Sequence, residues 1–392
     1  MKTKVYLDNA ATTPLDERVI ETMVSAMREQ YGNPSSTHSI GQEAKSLIEG
    51  VRRKVAQYLK VLPGEIIFTS CGTESNNLII QSCVAHLGVT RIISSPMEHK
   101  CVAESIRDAK TRHGVEVVYL RPDSNGEISP ESVENALKGS DKKTLVSLMH
   151  ANNEIGNLLD IEAVGELCKK YDAYFHSDTV QTIGHLDLDF SKINIDFASC
   201  SAHKFHGPKG AGFAYVKKSS RLRPIILGGT QERELRAGTE NVIGIVGLGK
   251  ALDLCMENLE SYSSHMTEIK TYAVEKLKKA IPGIKFNGYS ADTDKSLYTV
   301  LSLLLPFKNP LIGLELDMKG IAVSQGSACS SGASKPSMVM MMLLSDEQLE
   351  STTPLRVSFS HLTTKEEIDY FVEALQGVFQ HSQIDKMNVE HR

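Results

Sequence analysis

Strand-like apolar runs alternate with helical patterns through the first 217 residues of this 392-residue chain. Strands that alternate with helices in this way predict βαβ units and a mostly parallel sheet with helices on both faces. Ligands bind such sheets beyond the carboxyl ends of the strands, so the residues just after each run are the first candidates for function. The seven runs occupy residues 66–69, 91–94, 115–120, 144–150, 173–176, 195–199 and 212–217.

The C-terminal part of the sequence predicts a second, smaller α+β unit. We expect a large domain over residues 15–260, a small domain formed by residues 1–14 and 261–380, and a polar tail over residues 381–392. The elements that predict the small unit are a helical region at 242–280 with a break at 261–264, strand-like runs at 298–305 and 355–359, and a helix at 365–379.

Composition limits the partners that this chain is expected to have. The net charge of −5 argues against nucleic acid and anionic membrane surfaces, which usually attract proteins with a basic excess. No apolar run approaches the length of a membrane span, and no export signal is visible after Met1. The seven cysteines are widely spaced and include no Cys-x-x-Cys pair, which predicts reduced thiols in a cytoplasm and no metal site.

A stretch rich in glycine follows the run at 195–199 and contains Lys204. A lysine held where a strand ends can be partly desolvated, which makes the amine easier to deprotonate. Such an amine can form a Schiff base with an aldehyde cofactor or a carbonyl substrate. Taken alone, the stretch is also compatible with a solvated turn that carries two lysines, Lys204 and Lys209.

Two residues near other strand ends are suited to hold a flat cofactor ring. Asp178 closes the run at 173–176, where a carboxylate could pair with a protonated ring nitrogen, although a salt bridge or a helix cap would also explain it. His99 follows the run at 91–94, where its ring could stack on a cofactor and move protons. A lone histidine is more often structural.

A phosphate site is predicted where residues 66–69 lead into a helix that begins at Gly72 and Thr73. Free backbone N–H groups and the positive end of the helix dipole favour an anion there, although Gly-Thr-Glu can also simply cap a helix. Ser201 and His203 are further candidate ligands for the phosphate or the ring. A phosphate cradle, a carboxylate for the ring nitrogen, a stacking histidine and a Schiff-base lysine together are what pyridoxal phosphate requires.

Two residues of the C-terminal part are candidates for contact with a substrate. Cys329 lies in a loop of small residues, which predicts an accessible and mobile thiol, with an incidental surface cysteine as the alternative. Arg356 lies in an apolar strand, where it could bind a substrate carboxylate or form a structural ion pair.

Seven short motifs are distributed along the sequence. They are Tyr6-Leu7-Asp8-Asn9-Ala10-Ala11-Thr12-Thr13, Gly32-Asn33-Pro34-Ser35-Ser36, Gly72-Thr73-Glu74-Ser75-Asn76-Asn77, Asn152-Asn153-Glu154-Ile155-Gly156, His203-Lys204, Arg236-Ala237-Gly238-Thr239-Glu240-Asn241 and Gly326-Ser327-Ala328-Cys329. Taken together, these motifs resemble those of cysteine desulfurases of the NifS/IscS type, within the class V branch of fold-type-I pyridoxal-phosphate enzymes. The resemblance extends from about residue 4 to residue 380.

The resemblance implies a large domain with a sheet of the seven-stranded type and a set of cofactor ligands. Lys204 matches the Schiff-base lysine, Gln181 matches the ligand of the phenolic oxygen, and His99 matches the stacking residue and proton shuttle. The family is dimeric, and Thr239 matches a residue that reaches the phosphate of the neighbouring subunit. The matched cofactor ligands are Gly72, Thr73, His99, Asp178, Gln181, Ser201, His203, Lys204 and Thr239.

The resemblance also implies a reaction. Asn153 and Arg356 match the residues that bind the substrate carboxylate, and Cys329 matches the nucleophile that receives sulfur as a persulfide. L-cysteine would become L-alanine, and the sulfur would pass to an acceptor or scaffold protein for iron–sulfur cluster or thio-cofactor assembly. A selenocysteine lyase or another class V β-lyase or transaminase would share Lys204, Asp178 and His99. A protein that mainly delivers persulfide within a fixed complex is a third alternative.

Overall fold

The computed structural model describes residues 4–325 and 336–390, with side chains described as far as residue 382. The strands, in chain order, are β1 (Val5–Tyr6), β2 (Ile66–Thr69), β3 (Arg91–Ser94), β4 (Glu116–Tyr119), β5 (Thr144–Ser147), β6 (Tyr174–Asp178), β7 (Phe197–Ser201), β8 (Gly212–Val216), β9 (Lys285–Phe286), β10 (Val300–Leu305), β11 (Ile321–Ala322) and β12 (Thr353–Ser358).

Most helices lie between these strands or after them. In chain order they are α1 (Glu17–Glu29), α2 (Ser39–Leu59), α3 (Gly72–His86), α4 (Lys100–His113), α5 (Pro130–Leu137), α6 (Ile161–Lys170), α7 (Val242–Glu257), α8 (Leu259–Ala280), α9 (Ile312–Met318), α10 (Met338–Leu343), α11 (Asp346–Ser351) and α12 (Lys365–Glu390).

Seven strands form one sheet in the order β2-β8-β7-β6-β5-β3-β4 within the described chain. All neighbouring pairs are parallel except β2 with β8 and β7 with β8, so β8 alone runs against the others. The mostly parallel sheet predicted from the sequence is therefore confirmed. Because β2, β3, β6 and β7 share one direction, their carboxyl ends meet at the same edge of the sheet.

Two large apolar clusters form the cores of different parts of the chain. One packs helices such as α2 and α7 against the seven-stranded sheet and draws its residues from Val19 to Cys255. The other joins Val5 and Leu7 to residues from Ile269 to Val378. It lies around a smaller sheet of order β12-β10-β9, and β1 pairs with β11 beside it. Among the described residues, no helix is both long and apolar enough to span a membrane.

Helix boundaries in the C-terminal part differ from the sequence expectation in two places. The break in the region 242–280 lies at Asn258, between α7 and α8, and not at residues 261–264. The last helix continues to Glu390, although its apolar pattern ends near Phe379. An apolar pattern marks only the part of a helix that packs against a core, so it does not show where the helix ends. Residues 380–390 contain no glycine or proline that would end a helix.

Candidate functional site

A cavity of about 880 Å³ lies at the carboxyl-end edge of the large sheet. Its volume is in the range of small-molecule and cofactor sites, which cover about 300–1,000 Å³. Most residues that the sequence suggested for cofactor or substrate contribute to its wall. These are Gly72, Thr73, His99, Asn153, Asp178, Gln181, Ser201, His203, Lys204 and Arg356.

Lys204 lies in the connection between β7 and β8, and its amine is partly buried. The Nζ atom donates to the carbonyl oxygens of Ala10 at 2.7 Å and Ala11 at 2.9 Å, so the N-terminal segment forms a wall beside it. Burial, followed by the positive charge of Arg356, lowers the pKa of the Lys204 amine to about 8, although Asp178 and Asp8 act in the opposite direction. A pKa of about 8 gives this amine a far larger neutral fraction near pH 7 than an ordinary lysine has, which makes it a usable nucleophile and base.

Asp178 ends β6 and is only 5% exposed. Its Oδ2 accepts a hydrogen bond from Asn76 Nδ2 at 2.8 Å, and its Oδ1 accepts from the backbone N–H of Val180 at 3.0 Å. The Ser199 hydroxyl donates to the same Oδ1 at 3.3 Å. These donors stabilise the ionised carboxylate in a buried place, as a partner for a cationic ring nitrogen requires.

The beginning of helix α3 has the features of an anion cradle. Gly72 leaves no space for a side chain, because a Cβ at this position would lie 2.5 Å from Cγ2 of Val180. Ser201 is 2% exposed, and its hydroxyl has no hydrogen-bond partner within the part of the chain that the structure describes. Thr73 is exposed at the same helix end. Unpaired N–H groups and a buried hydroxyl without a partner suit a phosphate group.

His203 and Gln181 are held by the N-terminal segment. The Nδ1 atom of His203 lies 3.2 Å from the Thr12 hydroxyl, and Gln181 Nε2 donates to the carbonyl of Ala10 at 3.1 Å. Burial, with smaller contributions from Lys204 and Lys209, lowers the pKa of His203 to about 4. The imidazole is therefore neutral at physiological pH, and one ring nitrogen remains a hydrogen-bond acceptor.

His99 precedes α4 and caps it, because its Nδ1 accepts the backbone N–H of Cys101 at 3.2 Å. The Sγ atom of Cys101 lies 2.9 Å from the same nitrogen. Ligand atoms of His99, Cys101 and Asp178 all lie within 4.8 Å of one another, which is a possible metal-ligand set. The Nδ1 lone pair and both Asp178 oxygens already accept hydrogen bonds, so a metal ion would have to displace internal donors.

Arg356 lines the cavity and is fixed between two segments. Its Nη1 donates to the carbonyl of Asn153 at 2.8 Å, and its Nη2 forms an ion pair with Asp8 at 2.8 Å. The Nε atom is buried and has no partner among the described residues. The guanidinium can therefore offer hydrogen bonds to an anionic group in the cavity.

Two suggested residues are not in this wall. Thr239 is exposed and does not line the cavity of its own chain. Cys329 lies outside the described residues, within the gap at 326–335. The residues on either side of that gap, Gln325 and Pro336, both line the cavity.

Three further residues of the wall, and Asp8 beside it, had received no role from the sequence. Asp8 pairs with Arg356, Asn76 donates to Asp178, Cys101 contacts His99, and Glu98 is buried with its pKa raised well above the ordinary value by burial. Two of them had a local signal: Asn76 lies one helical turn after Gly72 and therefore faces the same side of α3, and Cys101 follows His99 by two residues at the start of α4. The Asp8 pair and the burial of Glu98 depend on tertiary approach.

This cavity, with a partly desolvated lysine and a buried carboxylate beside a helix N-terminus, is characteristic of an α/β enzyme that uses a bound organic cofactor. The model of the aminotransferase class-V family matches residues 5–371. The cysteine desulfurase IscS of Dictyoglomus turgidum is 39% identical over 97% of this chain and 95% of its own. The chain therefore belongs to the NifS/IscS group of the aminotransferase class-V family.

Solved structures give the same result for the fold. A NifS-like protein has a TM-score of 0.87 at 37% identity, over 97% of this chain and 100% of that chain. The protein SspA in complex with cysteine has a TM-score of 0.75 at 31% identity, over 92% of this chain and 100% of that chain. The expectation of a fold shared with NifS-like pyridoxal-phosphate enzymes is confirmed.

Proposed function

We propose that this enzyme is a cysteine desulfurase, which converts L-cysteine to L-alanine and transfers the sulfur to Cys329 as a persulfide. One observation carries the proposal: Gln325 and Pro336, which flank the segment containing Cys329, line the same cavity as Lys204 and Arg356. The described chain therefore ends and resumes at the wall of the site, on either side of the segment that contains Cys329. The names of the relatives and the cysteine complex of the similar SspA protein point in the same direction.

The residues present fit pyridoxal phosphate. The unpaired Ser201 hydroxyl and the closely packed Gly72 suit its phosphate, and Asp178 suits its ring nitrogen. When bound, this cofactor supplies an electron sink for a carbanion at the α-carbon of an amino acid. Lys204 would hold the cofactor, and the remaining proposed ligands are Thr73, His99, Gln181 and His203.

Each remaining step can be assigned to a residue of this chain. Arg356 and Asn153 would bind the substrate carboxylate, Lys204 would remove the α-proton, and His99 would move protons at the substrate thiol. The Cys329 thiolate then attacks the substrate sulfur. The Cβ–S bond breaks, Cys329 becomes a persulfide, and the three-carbon product leaves as alanine after protonation at Cβ. No external oxidant or reductant is needed.

A homodimer completes the proposed site. Thr239 is exposed and lies away from the cavity of its own chain, so it is free to contact the phosphate of a second copy. Two exposed apolar side chains lie near this residue in the chain or in space: Leu227, which is 82% exposed and precedes Gln231, and Tyr31, which precedes Ser35. A hydrogen bond from Gln231 to Ser35 joins their two segments. Analytical ultracentrifugation tests this part of the proposal.

The cellular setting belongs to the same proposal. A sulfur acceptor or iron–sulfur scaffold protein would take the persulfide, and the cytoplasm is favoured because the described cysteines are free thiols. The division at residue 260 is proposed because one core extends from Val19 to Cys255 and the other includes Val5, Leu7 and residues from Ile269 onward.

The test is turnover of L-cysteine by the purified protein, with alanine and sulfide measured in the presence of reductant. We expect Cys329→Ser to abolish sulfide release while the visible cofactor band stays intact. The matched control is Cys168→Ala, which removes a buried thiol of α6 outside the cavity. It should retain activity.

Intact mass spectrometry after cysteine treatment should find added sulfur on the peptide that contains Cys329. Borohydride reduction should fix the cofactor on Lys204, and labelling at Lys209 would contradict the assignment. Normal sulfide release by Cys329→Ser would contradict the persulfide step. A preference for selenocysteine or cysteine sulfinate over cysteine would favour a related lyase.

A further inference from the structure

The polar groups around His99 form a continuous hydrogen-bond chain whose direction is fixed at both ends. One end is Asp178, whose ionised carboxylate can only accept, so the atom of Asn76 that faces it at 2.8 Å is the donor Nδ2. The Asn76 carbonyl oxygen consequently faces His176 Nε2 at 3.0 Å, and that ring nitrogen donates. His176 Nδ1 then accepts from the Ser147 hydroxyl at 2.9 Å.

The other end is the backbone N–H of Cys101, which can only donate and points at His99 Nδ1. Because Nδ1 accepts this bond, it carries no proton. The Cys101 thiol, 2.9 Å from the same nitrogen, must therefore donate its own hydrogen to Nδ1. Its sulfur in turn accepts the second N–H of Asn76 at 3.3 Å.

We propose that Cys101 is a positioning residue, which holds the His99 ring with its proton on Nε2 and links it through Asn76 to Asp178. The inference rests on the proposed function in one respect, the use of the His99 proton at the substrate thiol. A histidine whose second nitrogen is engaged keeps one tautomer and one ring orientation, which a proton shuttle needs.

The environment of Cys101 keeps it a donor. Burial, with a further contribution from the charge of Asp178, raises the pKa of the Cys101 thiol to about 12. The negative charges of Asp178 and Glu98 oppose a thiolate, whereas hydrogen bonds from Asn76 and Thr73 favour one and offset only part of the increase in pKa. A sulfur in this state is a poor nucleophile, which separates its role from that of Cys329.

The experiment uses enzyme labelled with ¹⁵N-histidine, with bound pyridoxal phosphate and again without it. The ¹⁵N shifts of both ring nitrogens report which one carries the proton, and His99→Gln identifies the signal by its loss. We expect the wild type to show His99 protonated on Nε2. Cys101→Ala keeps the backbone N–H but loses the thiol donor, so it should show a measurable fraction of the Nδ1-protonated tautomer. Cys101→Ser, which keeps a side-chain donor, should restore the wild-type pattern.

Kinetics provide the second measurement. For Cys101→Ala we expect kcat for cysteine to fall about 10-fold with KM nearly unchanged, since the loss is in proton transfer and not in binding. The matched control is Cys83→Ala, which removes a buried thiol of α3 that does not line the cavity. It should change neither the His99 signal nor kcat.

A His99 tautomer that is unaltered in Cys101→Ala would overturn the proposal. So would equal losses in Cys101→Ser and Cys101→Ala, because these would indicate a packing role. A wild type that shows the Nε2 tautomer, its loss in Cys101→Ala and no turnover of cysteine would support the positioning role while contradicting the proposed function.

Discussion

The cavity at the large sheet and the core of the C-terminal part each bury a lysine amine, but in different ways. Lys204 donates to the carbonyls of Ala10 and Ala11 and borders the cavity. Lys270 of α8 is 0% exposed and donates to the Ser296 hydroxyl at 2.8 Å and the Leu297 carbonyl at 2.9 Å.

Desolvation does not distinguish the two amines. Burial lowers the pKa of Lys270 to about 7, which is below the value of about 8 for Lys204. The two amines differ in access, because Lys270 does not line the cavity. Its hydrogen bonds hold the segment around Ser296 and Leu297, whose backbone is hydrogen-bonded to Gly156 and Leu158. A lowered lysine pKa therefore indicates a nucleophile only where a carbonyl compound can reach the nitrogen.

The largest expected effect is the loss of activity when Lys204 is replaced. Lys204→Ala should lower kcat for cysteine by about 10³-fold or more, because it removes both the proposed nucleophile and the proposed base. The visible cofactor band should also disappear. The matched control, Lys209→Ala, changes an exposed lysine five residues further along the same connection and should keep both. Full activity in Lys204→Ala would contradict the distinction between the accessible amine of Lys204 and the inaccessible amine of Lys270.

An intermediate effect should be seen in stability. At pH 10, Lys270→Met should lower the free energy of unfolding by about 1–3 kcal/mol, because the Ser296 hydroxyl and the Leu297 carbonyl lose a buried donor. Activity per folded molecule should stay within about twofold of the wild type, since Lys270 and its two partners do not line the cavity. Urea denaturation measures the first value and cysteine turnover the second. A large loss of kcat at unchanged stability would assign Lys270 to the site.

The last prediction concerns how that stability difference depends on pH. The pKa of Lys270 is about 7 in the folded protein and 10.5 ordinarily, so the unfolded chain binds more protons between these values. The free energy of unfolding of the wild type should therefore rise with pH across this interval, and Lys270→Met should lack this contribution. The deficit of the variant should shrink as pH falls from 10 to 7. A constant deficit would mean that the amine stays charged when buried.

Local pattern was sufficient for most elements of the large sheet. The predicted runs at 66–69 and 91–94 coincide with β2 and β3, because short apolar segments bounded by polar turns have few other ways to be buried. The apolar runs alone did not predict the direction of β8. The connection of residues 202–211 between β7 and β8 is too short for the helical crossover that a parallel neighbour needs, so β8 runs antiparallel to β7.

The sequence by itself determined which residue types lie at the carboxyl ends of the strands, because strand and helix periods are local properties of the chain. Lys204, Asp178 and Gly72 were candidates for this reason. Tertiary structure alone decided which buried amine is accessible and which groups touch. The pairs Asn76 with Asp178 and Asp8 with Arg356 depend on atoms within about 3 Å of each other, a scale at which neither periodicity nor composition carries information.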